Sequence, residues 1–379
     1  MTIDRTTILA ELDKADASIA KAAAAQEHAE NLLQQSIATV QEKDAEIAQL
    51  RQKIEELTQQ PTPEPTPGGE PAPDIIVRQG ESLTAAFGDD KYILFHGRHV
   101  LTNTASIGRK NMRLRGAPGD NTLVKGAGGD FNVLRTTPGS SGIILEGINF
   151  ETETDGHGRA VNVSGTDITI RDCTAKGLKE FVKLDQASPP KSVNVLNNKT
   201  ETRAYGVYLA DCEDVLIDGN TIADCSLEHC VRGNGRNIRI TNNHLARKKA
   251  TVTKTNLALQ RVDNVLVKGN TFVTFPAAVG PETSRPADRA TNVRFEGNTF
   301  QDAQLEINEG SNDIAATGNK LSSKGVRIRT NGGTNGGVNR VSITGNTSPL
   351  DESKLVTIDD RGKGGGWVKG LKVEGNVKQ

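Results

Sequence analysis

Large apolar side chains are scarce in this sequence. Hydrophobic residues fill 35% and aromatic residues 3% of its 379 positions, with one Trp and three Tyr. A densely packed α/β enzyme of that length carries more. The shortage points to a core of thin repeated layers, or to a large share of coiled coil and linker. Nowhere do 18 apolar residues run together, which excludes a membrane-spanning helix. The first residues run into charged, helix-favouring sequence with no apolar stretch suited to cleavage, so no signal peptide is expected. The four cysteines (Cys173, Cys212, Cys225 and Cys230) lack zinc-finger spacing. Among small and apolar neighbours, they are expected as reduced core residues of a chain made in reducing cytoplasm.

Net charge is also nearly absent, with 46 Lys+Arg against 47 Asp+Glu, but the balance conceals two unlike parts. Residues 1–74 carry a net −8 and residues 75–379 a net +7. Gly and Pro are missing from residues 1–58. There a 4-3 alternation runs without a break from Ile8 and Leu12 through Val40, Ile47, Leu50 and Ile54 to Leu57. Seven heptads of that kind predict a self-associating coiled coil, a rod roughly 75 Å long at 1.5 Å per residue. Val and Ile at a with Leu at d favour a dimer, while the Ala-rich middle and the polar Gln26, Ser36 and Lys43 leave a trimer open. Residues 59–74 are crowded with Pro and predict a semi-stiff extended spacer.

Beyond the spacer a phrase recurs: alternating apolar residues, a polar pair, then Asn. It reads Val215-Leu-Ile-Asp-Gly-Asn220, Ile238-Arg-Ile-Thr-Asn-Asn243, Val265-Leu-Val-Lys-Gly-Asn270 and Val293-Arg-Phe-Glu-Gly-Asn298, and continues to Asn376. Steps of 21 to 30 residues with strand-like alternation indicate a β-solenoid. At a tight corner Asn tolerates left-handed backbone angles and its stacked side chains can bond from coil to coil; Gly before it serves the same corner. These repeats resemble right-handed parallel β-helix proteins, the pectate-lyase-like and bacteriophage tailspike architecture. The resemblance covers about 75–379 and implies an all-β right-handed parallel β-helix behind the α-helical coiled coil. About ten coils at about 4.8 Å each make a body near 50 Å long. Gly80-Glu-Ser-Leu-Thr-Ala-Ala-Phe87 looks like a short helix over the first coil, with Ser82 as N-cap.

Acidic residues disappear between His229 and Val262, where eight Lys and Arg stand without one Asp or Glu. Stacked coils are expected to gather this run into one positive face whose complement is a polyanion such as an acidic polysaccharide. A solvated basic surface is the alternative. Arg236, Arg239, Arg247 and Lys248 are the candidate substrate-binding cations. Tyr205 and Tyr208, about one turn earlier, are the candidate platforms for sugar rings.

Two phrases, Glu228-His-Cys-Val-Arg232 and Asn256-Leu-Ala-Leu-Gln-Arg261, look like a diverged version of the chondroitinase-B-like and alginate lyases. That resemblance implies a Lys base and an Arg acid on neighbouring coils. Arg232 falls at the base, Arg261 at or within one residue of the acid, and Gln260 beside it joins the binding set. Arginine does not deprotonate, so His229 oriented by Glu228, or Lys254, is the substitute base. No cofactor is expected; calcium on Asp211, Glu213 and Asp214 is the alternative.

Three functions fit. One is a virion or tailspike-like fibre, attached and oligomerised by residues 8–57 as a trimer or dimer, that binds a surface polysaccharide. Its location is the virion surface, with other virion proteins as candidate attachment partners and with neither nucleic acid nor a membrane span involved. The second is a polysaccharide lyase on the same scaffold, cytoplasmic or exported by a non-classical route. The third is a spacer without a ligand.

Overall fold

A computed structural model of the chain describes residues 71–248, 254–281, 289–330, 337–360 and 366–379. The heptad region 8–57, and with it the coiled coil, lies outside the described residues, as does most of the Pro-rich segment.

From Ile75 onward the backbone winds as a parallel β-helix, each coil contributing a strand to three sheets. The recurrent phrase forms the first sheet. Its inward positions stack Ile93, Leu114, Leu145, Ile170, Val195, Ile217, Ile240, Val267, Phe295, Ala316 and Ile343 in register. The second sheet stacks Leu123, Phe150, Ala175, Thr200, Ile222, Leu245, Phe272 and Phe300. The third stacks Ala105, Leu134, Val161, Val182, Val207, Val231, Leu257, Ala277, Leu305 and Val326. Every pairing is parallel and these side chains are buried. Alternate residues of each strand fill the interior, as Val265 with Val267 and Leu257 with Leu259, so narrow columns of aliphatic residues suffice and few aromatics are needed. Long strands such as Tyr205–Asp218 and Val231–Thr241 bend from the third sheet into the first without a break.

The corner between the first and second sheets carries an asparagine ladder from Asn198 to Asn376. Each Nδ2 donates to the Oδ1 of the next Asn at 2.9–3.0 Å, and each backbone N–H up to Asn346 donates to that same oxygen. Cys173 occupies the preceding slot, its N–H donating to Asn198 Oδ1 at 2.9 Å. Glu352 closes the far end by accepting from Asn376 N and Nδ2, both at 3.0 Å. The left-handed backbone belongs to the residue before each ladder Asn, as at Asn197, Gly219, Asn242 and Gly269 (φ +54 to +68°), not to the Asn itself. The Asn recurs for its side chain alone. A second left-handed corner, between the third and first sheets, runs through Asp214, Asn237, Asn264, Asn292 and Asp313 (φ +53 to +56°).

The N-terminal cover is shorter than expected. Thr84–Ala86 is a single 3₁₀ turn with Leu83 at its N-cap, although Ser82 Oγ still accepts from Ala85 N at 3.4 Å. Leu83 and Phe87 point into the core, which orders this segment without a full helix.

Candidate functional site

The outward positions of the third sheet gather the polar chemistry. Side chains alternate across a strand, so burying Val207 and Val231 turns Tyr208 and Arg232 outward, while Tyr205 is half-buried at the start of its strand. Register places Lys183, Tyr208 and Arg232 in one column on three successive coils. Tyr205 and Tyr208 lie with ring centroids 5.0 Å apart, and Lys183 Nζ stands 5.9 Å from the Tyr208 centroid.

Glu228, in the turn that enters the Arg232 strand, is the electrostatic centre. Its carboxylate lies 3.2 Å from Lys254 Nζ and 3.8 Å from Arg232 NH1. Arg232 NH1 donates to the Tyr205 hydroxyl at 3.1 Å. Burial pushes the Tyr205 phenol well above its ordinary range; Arg232 opposes the shift and Glu228 adds to it. Tyr205 is therefore a neutral phenol at physiological pH. The patch gathers Lys183, Arg232 and Lys254 about Glu228 and two half-buried rings. Such a patch offers apolar faces to sugar C–H groups and donors to an anion.

His229 takes a supporting place. It is fully buried, its ring stacked at 16° and 6.4 Å behind Tyr205. Nδ1 accepts from Thr255 N at 3.2 Å, and Nε2 points to Glu228 at 3.8 Å. It does not meet solvent, as a base for a polymer in solution must. Arg247 is likewise internal. It is 4% exposed, donates to the carbonyls of Cys225, Ser226 and Glu228, and rests 4.8 Å from the Phe275 ring centroid. It staples the turns beneath the site.

The expected single basic face is not formed. A coil passes all three sheets in about 25 residues, so a basic run of that length is distributed around the helix. Arg232 and Lys254 lie at the third sheet. Arg236 and Arg261 sit at the corner toward the first sheet, paired with Glu213 at 3.0 Å and with Asp211 respectively. Arg239 faces outward from the first sheet. Lys248 follows the second sheet, 3.5 Å from Asp224. Gln260 lies in the bend after Leu259. The residue stacked on Arg232 is Ala258, not Arg261, so the Arg232 and Arg261 pair implied by the lyase resemblance is not assembled. Among the described residues, no three His, Cys, Asp or Glu are grouped to hold a metal. Asp211 and Glu213 engage the arginines above, and Asp214 lies 3.8 Å from Lys191.

Sequence reasoning missed the N-terminal continuation of this face. Arg159 pairs with Glu180 at 2.7 Å and Lys179 with Asp130 at 3.6 Å. Arg135 pairs with Asp185 at 3.2 Å. Burial disfavours the Asp130 charge, but the Gly158 N–H with Arg159 and Lys179 outweighs it and holds the carboxyl below its usual range. Phasing the chain on the third sheet (Arg135, Asn162, Lys183, Tyr208, Arg232) would have revealed the column.

A family model described as a right-handed β-helix region matches residues 187–348, and the chain has that right-handed solenoid fold. No curated protein matches the sequence. Among solved structures, the catalytic unit of the thermostable GH87 α-1,3-glucanase from Streptomyces thermodiastaticus is 14% identical. That match covers 79% of this chain and 70% of the other, with a TM-score of 0.52. The Dettilon tailspike protein is 14% identical over 75% and 68%, with a TM-score of 0.43. The gp49 tailspike of Acinetobacter baumannii bacteriophage Fri1, a capsular polysaccharide depolymerase, is 11% identical over 81% and 57%, with a TM-score of 0.47. At these identities the likeness is one of fold.

Proposed function

We propose that this chain is a fibre-like, virion-associated surface protein whose β-helix binds an acidic polysaccharide on its third sheet. Residues 8–57 join two or three copies and the Pro-rich segment spaces them from the β-helix. The carrying observation is the pair of half-buried rings, Tyr205 and Tyr208, with centroids 5.0 Å apart beside Arg232, Lys254 and Lys183. An aromatic platform with cations at its rim recognises a ring-shaped, negatively charged unit, the building block of a uronate-containing glycan.

The lyase reading is the less favoured. Elimination needs a base against an acidic C–H of the sugar. Tyr205 is held as a neutral phenol, Lys254 is engaged with Glu228, His229 is buried, and guanidinium does not deprotonate. These four facts favour binding over chemistry.

The test is equilibrium binding of the full chain to immobilised alginate, pectate, chondroitin and dextran, with product absorbance followed in parallel. The proposal expects salt-sensitive binding to at least one acidic glycan, none to dextran, and a flat absorbance trace. Equal binding to dextran, or no binding to any acidic glycan, contradicts it; a rising trace restores the lyase.

A further inference from the structure

We propose that the first sheet carries a second glycan-binding groove, which takes an acidic polysaccharide lengthwise with one anionic group seated at every second coil. It shares the ligand class of the function proposed above and none of its residues.

The groove lies between the left-handed corner and the outward column of the first sheet. Its floor alternates coil by coil: Leu216, Arg239, Leu266, Arg294, then Ala315 and Ser342, each in register with the next. Two hollows of about 330 and about 480 Å³ share Asn264 and Arg294 in their linings, so they adjoin each other on this face. Arg239 is exposed, and among the described residues its guanidinium has no ion-pair partner. Arg294 is exposed, and its ion-pair partner among the described residues is Glu296, at 3.8 Å. The wall's acids are already engaged, Asp214 by Asn237 at 3.0 Å and Asp313 by Arg340. The cations of the floor are therefore the groups left for a ligand.

Spacing selects the ligand. Two strand steps separate Arg239 from Arg294, roughly 10 Å, a length comparable to two sugar units of an extended chain. Leu266 between the arginines and Leu216 one coil before Arg239 offer apolar patches to the adjoining rings, and each guanidinium can take a carboxylate or sulfate in a forked contact. Asn237 and Asn264 along the wall meet hydroxyls. The fitting class is an acidic glycan with one anionic group per disaccharide. An isologous contact with a second copy would set these cations against their own equivalents.

The experiment titrates the full chain with hyaluronan and chondroitin oligosaccharides, with dextran as the neutral control. Variants are R239A/R294A and, separately, Y205A/R232A. The expected result is at least a tenfold weaker affinity for R239A/R294A, a smaller loss at high salt, and no binding of dextran by any form. Three outcomes overturn the inference: unchanged affinity in R239A/R294A, binding to neither acidic glycan, or self-association lost in R239A/R294A without a change in glycan affinity. If affinity falls only in Y205A/R232A, the third-sheet function stands and the groove fails. If it falls only in R239A/R294A, the groove stands and the Tyr205 site fails.

Discussion

The Arg232 guanidinium donates to the Tyr205 hydroxyl at 3.1 Å across adjacent coils. That bond fixes a cation at the edge of an aromatic ring, and the two residues reach each other only because the backbone makes one complete turn between them.

Removing the ring and removing the hydroxyl should therefore differ. Tyr205→Phe keeps the platform and removes one acceptor of Arg232, and is expected to change glycan affinity no more than about threefold. Tyr205→Ala removes the platform, whose stacking is worth about 0.5–1.5 kcal/mol, and should weaken binding up to about tenfold. Titration calorimetry of both variants checks the order.

The asparagine ladder should dominate stability. Asn270 Oδ1 accepts from Asn243 N and Nδ2, while its own Nδ2 donates to Ile240 O at 2.8 Å. Asn270→Ala leaves those buried groups unpaired and should cost about 3 kcal/mol. At the C-terminal end of the ladder Asn376 is half-buried, and Asn376→Ala should cost less, about 1 kcal/mol, because water reaches part of the lost partners. Urea midpoints of the two variants should separate accordingly.

Gly233 sits at φ +145°, where an added Cβ would run into the Leu209 carbonyl of the neighbouring coil. Gly233→Ala combines strain with a backbone collision. It should yield insoluble or unfolded protein, whereas Gly119→Ala, in open space, should stay soluble. Expression and circular dichroism distinguish them.

Stability should fall on both sides of neutrality. Burial disfavours the Glu146 charge, but hydrogen bonds from Arg171 and Arg113 outweigh it and hold the carboxyl below its usual range; Asp130 behaves alike. A carboxylate depressed in the folded state stabilises above its unfolded value, near pH 4, and that stability drains as pH falls further. Burial pushes the Cys173 and Cys212 thiols up to about 12. Their contribution is complete below the unfolded thiol value, about 8.5, and is lost as pH climbs toward 12. Melting temperatures between pH 3 and 11 should show a plateau from about 5 to 8.

The solenoid was legible because Gly219–Asn220 and its counterparts carry two separate constraints, a left-handed corner and a stacked amide, and both leave a mark at a fixed place in each coil. The third sheet leaves no such mark. Its outward column passes through Arg135, Asn162, Lys183, Tyr208 and Arg232, and nothing in the corner chemistry restricts those identities. Arg232, Tyr205 and Tyr208 could be singled out by composition, but their neighbours Lys183 and Glu180 could not. The basic run misled for a geometric reason: Arg232, Arg239 and Arg247 are close in sequence and face three different ways once the coil is wound. His229 shows the same limit, because one place beside Cys230 decides whether a ring meets water or the core.

The most direct test uses the scarcity of aromatics. Tyr92, Tyr205, Tyr208 and Trp367 are the chain's full set of Tyr and Trp, and hydroxyl-radical oxidation of each can be read by mass spectrometry with and without a saturating acidic glycan. The proposed site predicts protection of Tyr205 and Tyr208, with Tyr92 and Trp367 oxidised as before. Unchanged oxidation of Tyr205 and Tyr208 in a chain that demonstrably holds the glycan would contradict it.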